Sequence, residues 1–259
     1  HAQPEQAIGI REGETTEAAF ELRPTDPFLR VFQRQRVFTT GEKPVLRVRG
    51  FAPVGALAVR AYRVTGKAAL QSWHGWLPGA LHLRGESLET TDLSTVPELA
   101  LAGSATSAVG PKARDGEGVF RTEVSPGKLS PGLYLISVEA GRLRAMAPVA
   151  VTDLGLIVKS SPAQALVYAV DIPTGTPAAG VPVQVLRQEK AVASATTDGE
   201  GLAVLDLPRS EGGDEMLVVG TMGSSTAVAS FYRYWSGHQD ALRVYTYTDR
   251  PVYRPGHTV

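Results

Sequence analysis

The side chains in this sequence that could carry chemistry are a few serines and histidines set among apolar segments. Residues 223–227 (Gly-Ser-Ser-Thr-Ala) approach the Gly-x-Ser-x-Gly pattern of a hydrolase nucleophile. The last position is alanine and no helical pattern follows, so we interpret the stretch as a β-turn. His74 and His82 have Glu86 and Asp92 nearby in sequence, but not at metal-ligand spacing. We therefore expect no catalytic residue, no metal site, no cofactor and no enzymatic activity.

The composition argues against several classes of partner. The 259 residues contain 26 basic and 26 acidic side chains. Nucleic acid is not an expected partner, because phosphate neutralisation requires a basic surplus on one face. No apolar run approaches the ~18 residues that cross a bilayer, so no membrane span is expected in this chain. The absence of cysteine excludes disulfides and thiolate chemistry within it.

Trp73 and Trp76 form the most distinctive aromatic pair, in the stretch Trp-His-Gly-Trp. They are a possible contact surface for a glycan or a protein partner. The alternative interpretation is that the two indoles pin a long loop onto the body of the domain, which is a common role for large aromatic side chains. We favour the second interpretation.

Short apolar runs rich in Val, Leu, Ala and Tyr alternate with glycine and proline along the whole chain. This pattern predicts β-strands in antiparallel sandwiches. The predicted strands are 45–48, 56–64, 133–138, 154–159, 165–170, 181–186, 202–205, 216–219 and 227–232. The best helix candidate, residues 87–101, is limited to a short piece by Pro97. The fold class is therefore all-β, with tandem antiparallel β-sandwich domains of macroglobulin or fibronectin type.

Residues 197–201 (Thr-Asp-Gly-Glu-Gly) carry the strongest local turn signal. An Asp-Gly pair readily takes the positive φ angles of a tight turn. We expect a β-hairpin here, joining strands at 192–196 and 202–205.

Two stretches near the ends of the chain resemble each other. Residues 29–32 are followed by 37–45, and residues 242–245 are followed by 252–259. Each reads as a strand, a short link, an aromatic-x-x-Gly turn and the start of a new strand. An internal echo of this kind indicates repeated domains.

The length and the echo together predict more than one domain. Residues 1–19 are expected to be a tail. The first sandwich is expected at 20–151, with a long irregular insertion at 66–118, and the second at 152–240. Residues 241–259 are expected to be a linker and the first strand of a truncated third domain.

The most specific stretch is 248–259, Thr-Asp-Arg-Pro-Val-Tyr-Arg-Pro-Gly-His-Thr-Val. It resembles the motif that opens a macroglobulin-type domain in alpha-2-macroglobulins and their bacterial relatives. Residues 154–161, 174–183 and 197–202 are similar to the domain that precedes this motif in bacterial members. The residues of this domain-opening motif are Asp249, Arg250, Pro251, Tyr253, Arg254, Pro255 and Gly256.

The resemblance implies a function for the parent protein. In this family a ring of such domains carries a bait segment, and a peptidase that cuts the bait is caged or captured through a thioester. This chain has no cysteine, so we expect it to be the structural N-terminal scaffold of a broad-spectrum endopeptidase inhibitor that serves bacterial defence. Its expected partners are peptidases, through the full-length parent, and other domains of the same chain. The expected location is secreted, periplasmic or cell-envelope, and the alternative function is an envelope adhesin or glycan-binding sandwich array.

Overall fold

A computed structural model describes residues 26–32, 36–65, 92–187, 190–208 and 213–233, together with Gly13. These residues form sixteen β-strands and two single 3₁₀ turns, Leu93–Thr95 and Pro111–Ala113. The all-β prediction is confirmed. Over the same ranges, no helix has the length and apolar character needed to cross a membrane.

The strands follow one another closely along the chain. They are β1 (Phe28–Val31), β2 (Val37–Phe38), β3 (Leu46–Phe51), β4 (Ala56–Val64), β5 (Leu99–Ala108), β6 (Phe120–Val124), β7 (Gly132–Ala140), β8 (Leu143–Val151), β9 (Leu154–Ser160), β10 (Gln164–Asp171), β11 (Thr176–Pro177), β12 (Pro182–Arg187), β13 (Lys190–Thr196), β14 (Leu202–Asp206), β15 (Asp214–Met222) and β16 (Ser225–Arg233).

Strands β1 to β8 form the first sandwich. One sheet has the order β1-β3-β6 and the other β2-β8-β7-β4-β5. All pairings are antiparallel except that of β2 with β8. The residues of β3 alternate, with Leu46 and Val48 buried and Arg47 exposed. The buried residues of both sheets join in one core around Phe120, Tyr134 and Ile136.

Strands β9 to β16 form the second sandwich. In one sheet β10 is central, with β9 on one side and β14 and β11 on the other. The other sheet has the order β13-β12-β15-β16. Alternating residues such as Val167 on β10 and Val185 on β12 fill the space between the sheets, together with Met216 from β15. This two-sheet packing is the sandwich architecture that the alternation predicts.

The expected irregular insertion at 66–118 needs a correction. Residues 99–108 form β5, which pairs with β4 along its length. Its exposed face carries small residues in the stretch Leu-Ala-Leu-Ala-Gly-Ser-Ala-Thr-Ser-Ala, which lacks the β-branched and aromatic pattern used to recognise strands. An edge position with one solvent-facing side tolerates this composition.

The expected hairpin at 197–201 is also wrong. The turn forms, but β13 pairs with β12 in one sheet and β14 pairs with β10 in the other. The positive φ falls at Gly201, at +71°, while the Asp198 carboxylate accepts hydrogen bonds from the backbone of Glu200 and Leu202. The turn therefore carries the chain across the sandwich instead of folding it back within one sheet.

Candidate functional site at the junction of the two sandwiches

Two residues, Thr152 and Asp153, connect the last strand of the first sandwich to the first strand of the second. Thr152 is buried and its backbone N–H donates to the carbonyl of Phe38 at 2.8 Å. Its hydroxyl oxygen accepts a hydrogen bond from the backbone N–H of Leu154 at 3.1 Å. The connection between the sandwiches is therefore two residues long, and its first residue, Thr152, is already held by hydrogen bonds to Phe38 and Leu154.

The Asp153 carboxylate binds the first sandwich. One oxygen, Oδ1, accepts the backbone N–H of Thr40 at 2.8 Å, and Oδ2 accepts the Thr40 hydroxyl at 2.5 Å. Hydrogen bonds to an ionised acceptor are about twice as strong as bonds between neutral groups. Asp153 therefore clamps one residue of the first sandwich with both of its oxygens.

A tight turn presents Thr40 to this carboxylate. The backbone N–H and hydroxyl of Thr39 donate to the Glu42 carboxylate at 2.6 and 3.0 Å, and Glu42 N–H returns a bond to the Thr39 carbonyl at 3.0 Å. These bonds fix the turn that follows β2. The turn lies in the N-terminal copy of the internal echo, so the repeated motif has a defined structural role in that copy.

The backbone of Asp153 binds the second sandwich. Its N–H donates to the hydroxyl oxygen of Ser225 at 3.0 Å, and its carbonyl accepts the N–H of Ile172 at 2.7 Å. Ser225 is buried at the start of β16, directly after a hairpin in which Gly223 has a φ of +59°. Every polar group of Asp153 therefore has a partner, and the partners belong to both sandwiches.

An apolar contact accompanies these hydrogen bonds. Leu133 and Ala150 on the outer face of the five-stranded sheet are buried, and Val64 and Val228 pack against them. Val228 is part of β16, so the second sandwich lies on the outer face of the first. Burial of apolar surface stabilises such a contact by about 25 cal/mol per Å², and the hydrogen bonds at Asp153 fix its orientation.

The hydrogen bonds around Asp153 hold the two sandwiches in a defined orientation, and the groups that make them are not arranged for a chemical reaction. The Ser225 hydroxyl accepts a hydrogen bond from the backbone N–H of Asp153, and Ser225 is the first residue of β16. The interpretation of residues 223–227 as a turn and not a nucleophile elbow is therefore confirmed. Across the described part of the chain, no three His, Asp or Glu side chains converge as metal ligands do. The junction therefore positions the two sandwiches relative to each other.

None of the predicted site residues is among the residues that the structure describes. Trp73, Trp76, His74 and His82 fall outside the described residues, and so does the whole domain-opening motif. The motif residues are Asp249, Arg250, Pro251, Tyr253, Arg254, Pro255 and Gly256. Their roles stay predictions.

Residues 151–242 match the family model described as the bacterial alpha-2-macroglobulin MG3 domain. Over 143 residues the chain is 29% identical to an alpha-2-macroglobulin of Ralstonia nicotianae. Over 129 residues it is 30% identical to an alpha-2-macroglobulin homolog of Deinococcus radiodurans. The resemblance to bacterial alpha-2-macroglobulins that the sequence predicts is confirmed over these residues.

The alignments cover 55% and 43% of this chain but only 9% and 12% of the two alpha-2-macroglobulin relatives. Among solved structures, the chain is similar to native alpha-2-macroglobulin from Escherichia coli spanning domains MG0-NIE-MG1. That match has a TM-score of 0.59 and 15% identity, and it covers 81% of this chain and 66% of that chain. The piece spanning NIE-MG1 gives a TM-score of 0.57 at 17% identity, covering 78% of this chain and 96% of the other. These structures share the fold of this chain. The match of residues 151–242 to the MG3 model supports an alpha-2-macroglobulin-like scaffold domain.

Sequence reasoning missed the residues that form the junction, Asp153, Thr40 and Ser225. Thr40 lies in the internal echo and Ser225 in the stretch 223–227, but they are 113 and 72 positions from Asp153, and neither pattern indicates a contact with it. One signal was available. The predicted first domain ends at residue 151 and the next predicted strand begins at 154, so the two residues between them must be held by tertiary contacts.

Proposed function

We propose that this chain supplies rigid N-terminal scaffold domains of a larger bacterial alpha-2-macroglobulin-like endopeptidase inhibitor. The observation that carries the proposal is the junction at Asp153, because a two-residue connection bonded to both neighbours transmits orientation from one domain to the next. A trap that rearranges around a peptidase needs parts that keep their geometry while others move. The chain takes no chemical part in capture.

Support for this function comes from the family-model match over residues 151–242 and from the small share of the relatives that the chain covers. We propose that the remaining parts of a longer parent supply the bait and the capture chemistry. Peptidases are then partners of the full-length protein, in the cell envelope or outside the cell. The other domains of the parent are the immediate partners of this chain.

We also propose the domain organisation given above. The first sandwich would span residues 20–151 and the second 152–240, with the motif at 249–256 opening a third domain. In that motif Tyr253 and Gly256 correspond to Phe38 and Gly41 of the internal echo. Pro255 takes the place of Thr40 and has neither an N–H nor a hydroxyl. We therefore propose that Tyr253 to Gly256 form a turn without the hydrogen bonds that Thr40 makes to Asp153.

A peptidase assay tests the proposal. The purified chain is added to serine, cysteine and metallopeptidases, with a large protein substrate and a small peptide substrate read in parallel. The proposal expects no inhibition of either substrate by the chain alone, and protection of the large substrate by the full-length parent. Stoichiometric inhibition by the isolated chain, or a parent that leaves both substrates fully cleaved, would contradict it.

A further inference from the structure

The outer face of one sheet in the second sandwich is apolar across β9, β10 and β14. In the register of this sheet, Tyr168 on β10 lies opposite Ile157 on β9 and Leu202 on β14. In the next row, Leu166 lies opposite Val204. Directly opposed side chains on one face of a sheet are ~5 Å apart, so these residues form one continuous patch. The patch is defined by Ile157, Leu166, Tyr168, Leu202 and Val204 and is here called the open face.

The open face departs from the pattern of a sheet face that stays in water. A solvated antiparallel sheet alternates apolar residues facing the core with polar residues facing water. The other sheet of the same sandwich follows this rule, since Gln184 on β12 lies opposite Ser194 on β13 and both are exposed. Strand β10 instead carries apolar side chains inward, such as Val167, and outward, such as Leu166. Apolar residues on both faces are typical of strands that are covered on both faces.

The open face reaches the junction of the two sandwiches. A Cβ at Gly155, which lies opposite Val170, would be 2.8 Å from Val170 and 3.3 Å from Ile172. Both of these side chains therefore continue the outward side of β10. The backbone N–H of Ile172 donates to the carbonyl of Asp153 at 2.7 Å. A domain docked on the open face would therefore adjoin the interface that begins at Asp153.

No element of the described ranges covers the open face. Ile157 and Val204 are more than half exposed, and Leu166, Leu202 and Ile172 are more than one third exposed. Full burial of a Leu or Ile side chain corresponds to ~120 Å² of apolar surface, so these residues together present on the order of 300 Å². Contiguous apolar patches of this size on a soluble protein are often interaction sites.

The size of the open face selects the kind of occupant. A stable dimer of free chains buries ~800 Å² on each partner, which is far more than this face offers. Interfaces between domains of one chain begin at ~600 Å² in total, or ~300 Å² on each side. A small area is sufficient there because the linker already holds the two domains together. The face therefore fits a domain of the same polypeptide better than a second copy of the chain.

We propose that the open face docks a further domain of the longer parent polypeptide. The alignments cover only 9% and 12% of the two alpha-2-macroglobulin relatives, so a parent of that length has chain for such a domain. The junction shows the mode of contact, since Val228 of the second sandwich packs against Leu133 and Ala150 on an outer face of the first. The inference rests on the proposed function, because it requires the longer parent.

The charge around the open face disfavours a lipid surface as its occupant. Lys159 lies opposite Leu166 at one border. At another border, the Gln164 side chain donates to the Asp206 carboxylate at 2.9 Å. These flanking positions carry one cation and one anion, whereas binding to anionic lipid requires a cluster of about four to eight basic residues. Apolar contact with protein is therefore the interaction that this face fits.

Hydroxyl-radical footprinting read by mass spectrometry tests the inference. The oxidation rates of Ile157 and Val204 in this chain are compared with their rates in the full-length parent. Both rates should fall about fivefold in the parent, because a docked domain excludes water from the side chains that it covers. Leu101, which is 60% exposed on β5, is the matched control on the first sandwich and should keep its rate. Unchanged rates at Ile157 and Val204, or an equal fall at Leu101, would overturn the inference.

Val204→Lys tests the same contact by disruption. In the parent it should return Ile157 to the oxidation rate of this chain alone, whereas Leu101→Lys should leave Ile157 protected. In this chain alone, Val204→Lys should lower the melting temperature by less than about 3 °C, since the side chain is exposed. Protection of Ile157 that survives Val204→Lys in the parent would contradict docking on this face.

Two further results would assign the open face to another occupant and overturn the inference. Protection that rises with the concentration of this chain alone would indicate a second copy, and protection by vesicles of phosphatidylcholine and phosphatidylglycerol would indicate lipid. The peptidase assay keeps the two proposals apart. A parent that protects a large substrate from peptidases but leaves the open face reactive would overturn this inference and leave the proposed function in place.

Discussion

The two sandwiches differ in how far the outer face of one of their sheets is covered. In the first, Leu93 and Val96 from the segment before β5 pack onto Tyr62 and Leu135, and all four are buried. In the second, the outer face of the sheet around β10 leaves Ile157 and Val204 more than half exposed, at 57% and 58%. The same architecture is therefore covered by its own chain in one domain and open in the other.

Three parts of the outer face of the five-stranded sheet in the first sandwich make three different contacts. One end docks the second sandwich through Leu133 and Ala150, and the middle is covered by the segment with Leu93. At the other end, Glu139 binds Arg60 and Arg144. Contacts on this outer face therefore add to the inter-sheet core of the first domain, whereas Ile157 and Val204 on the corresponding face of the second domain stay exposed.

The largest expected effect is on the second sandwich, at its crossing between sheets. Gly201 has a φ of +71°, and a Cβ there would lie 2.6 Å from the carbonyl oxygen of Ala169. Gly201→Ala should destabilise the domain by about 4 kcal/mol, since the left-handed backbone and the overlap both add cost. Urea unfolding monitored by native-state hydrogen exchange in β10 measures it.

Gly180→Ala is the matched control for this prediction. Gly180 has the same φ of +71°, but an added Cβ would meet nothing within 4 Å. It should cost only about 1 kcal/mol, the price of the backbone conformation alone. Equal losses of stability in the two variants would contradict a steric overlap between a Cβ at position 201 and the Ala169 carbonyl oxygen.

The next largest effect should come from the cover of the first sandwich. Leu93 is 1% exposed, so Leu93→Ala should destabilise that domain by about 3 kcal/mol through lost burial and the cavity left behind. The equivalent change on the open face, Leu166→Ala, should cost less than about 1 kcal/mol, because that side chain is 39% exposed. Hydrogen exchange in β7 and in β10 reads the two domains separately. Similar losses at both positions would remove the contrast between the faces.

The smallest effect concerns the charged end of the same face. Burial raises the pKa of Glu139, but hydrogen bonds from Arg60 and Ser137 outweigh it and hold the pKa below its ordinary value of 4.5. A lowered pKa gives stability that is present above pH 4.5 and is lost as the pH falls through the folded-state pKa. Glu139→Gln should therefore cost about 1 kcal/mol at pH 7.

A pH series checks the sign of this prediction. The difference in unfolding free energy between wild type and Glu139→Gln should shrink as the pH falls below 4.5 and through the lowered folded-state pKa, because the carboxylate then becomes protonated in both states. A difference that stays constant over that range would mean that the charge of Glu139 is not what stabilises the domain.

The positions of many strands follow from local sequence, whereas the pairing of distant strands and the contacts at the junction do not. The run 56–64 was predicted with the bounds that β4 has, because alternating and β-branched residues act locally. The turn at 197–201 was recognised but misassigned, since the choice between hairpin and crossing depends on which distant strands pair. Asp153 was missed for the same reason. Its carboxylate and Thr40 meet only after two strands have aligned in parallel.

The orientation of the two sandwiches is the quantity that tests the account most directly. The chain has no cysteine, so Lys128→Cys and Lys190→Cys place one spin label on an exposed site of each domain. The distance between the labels is then measured by electron double resonance in the wild-type background and with Asp153→Ala. The account predicts one narrow distance distribution that broadens when the Asp153 carboxylate is removed. A distribution that is already broad with Asp153 in place would contradict a rigid junction, and with it the scaffold role.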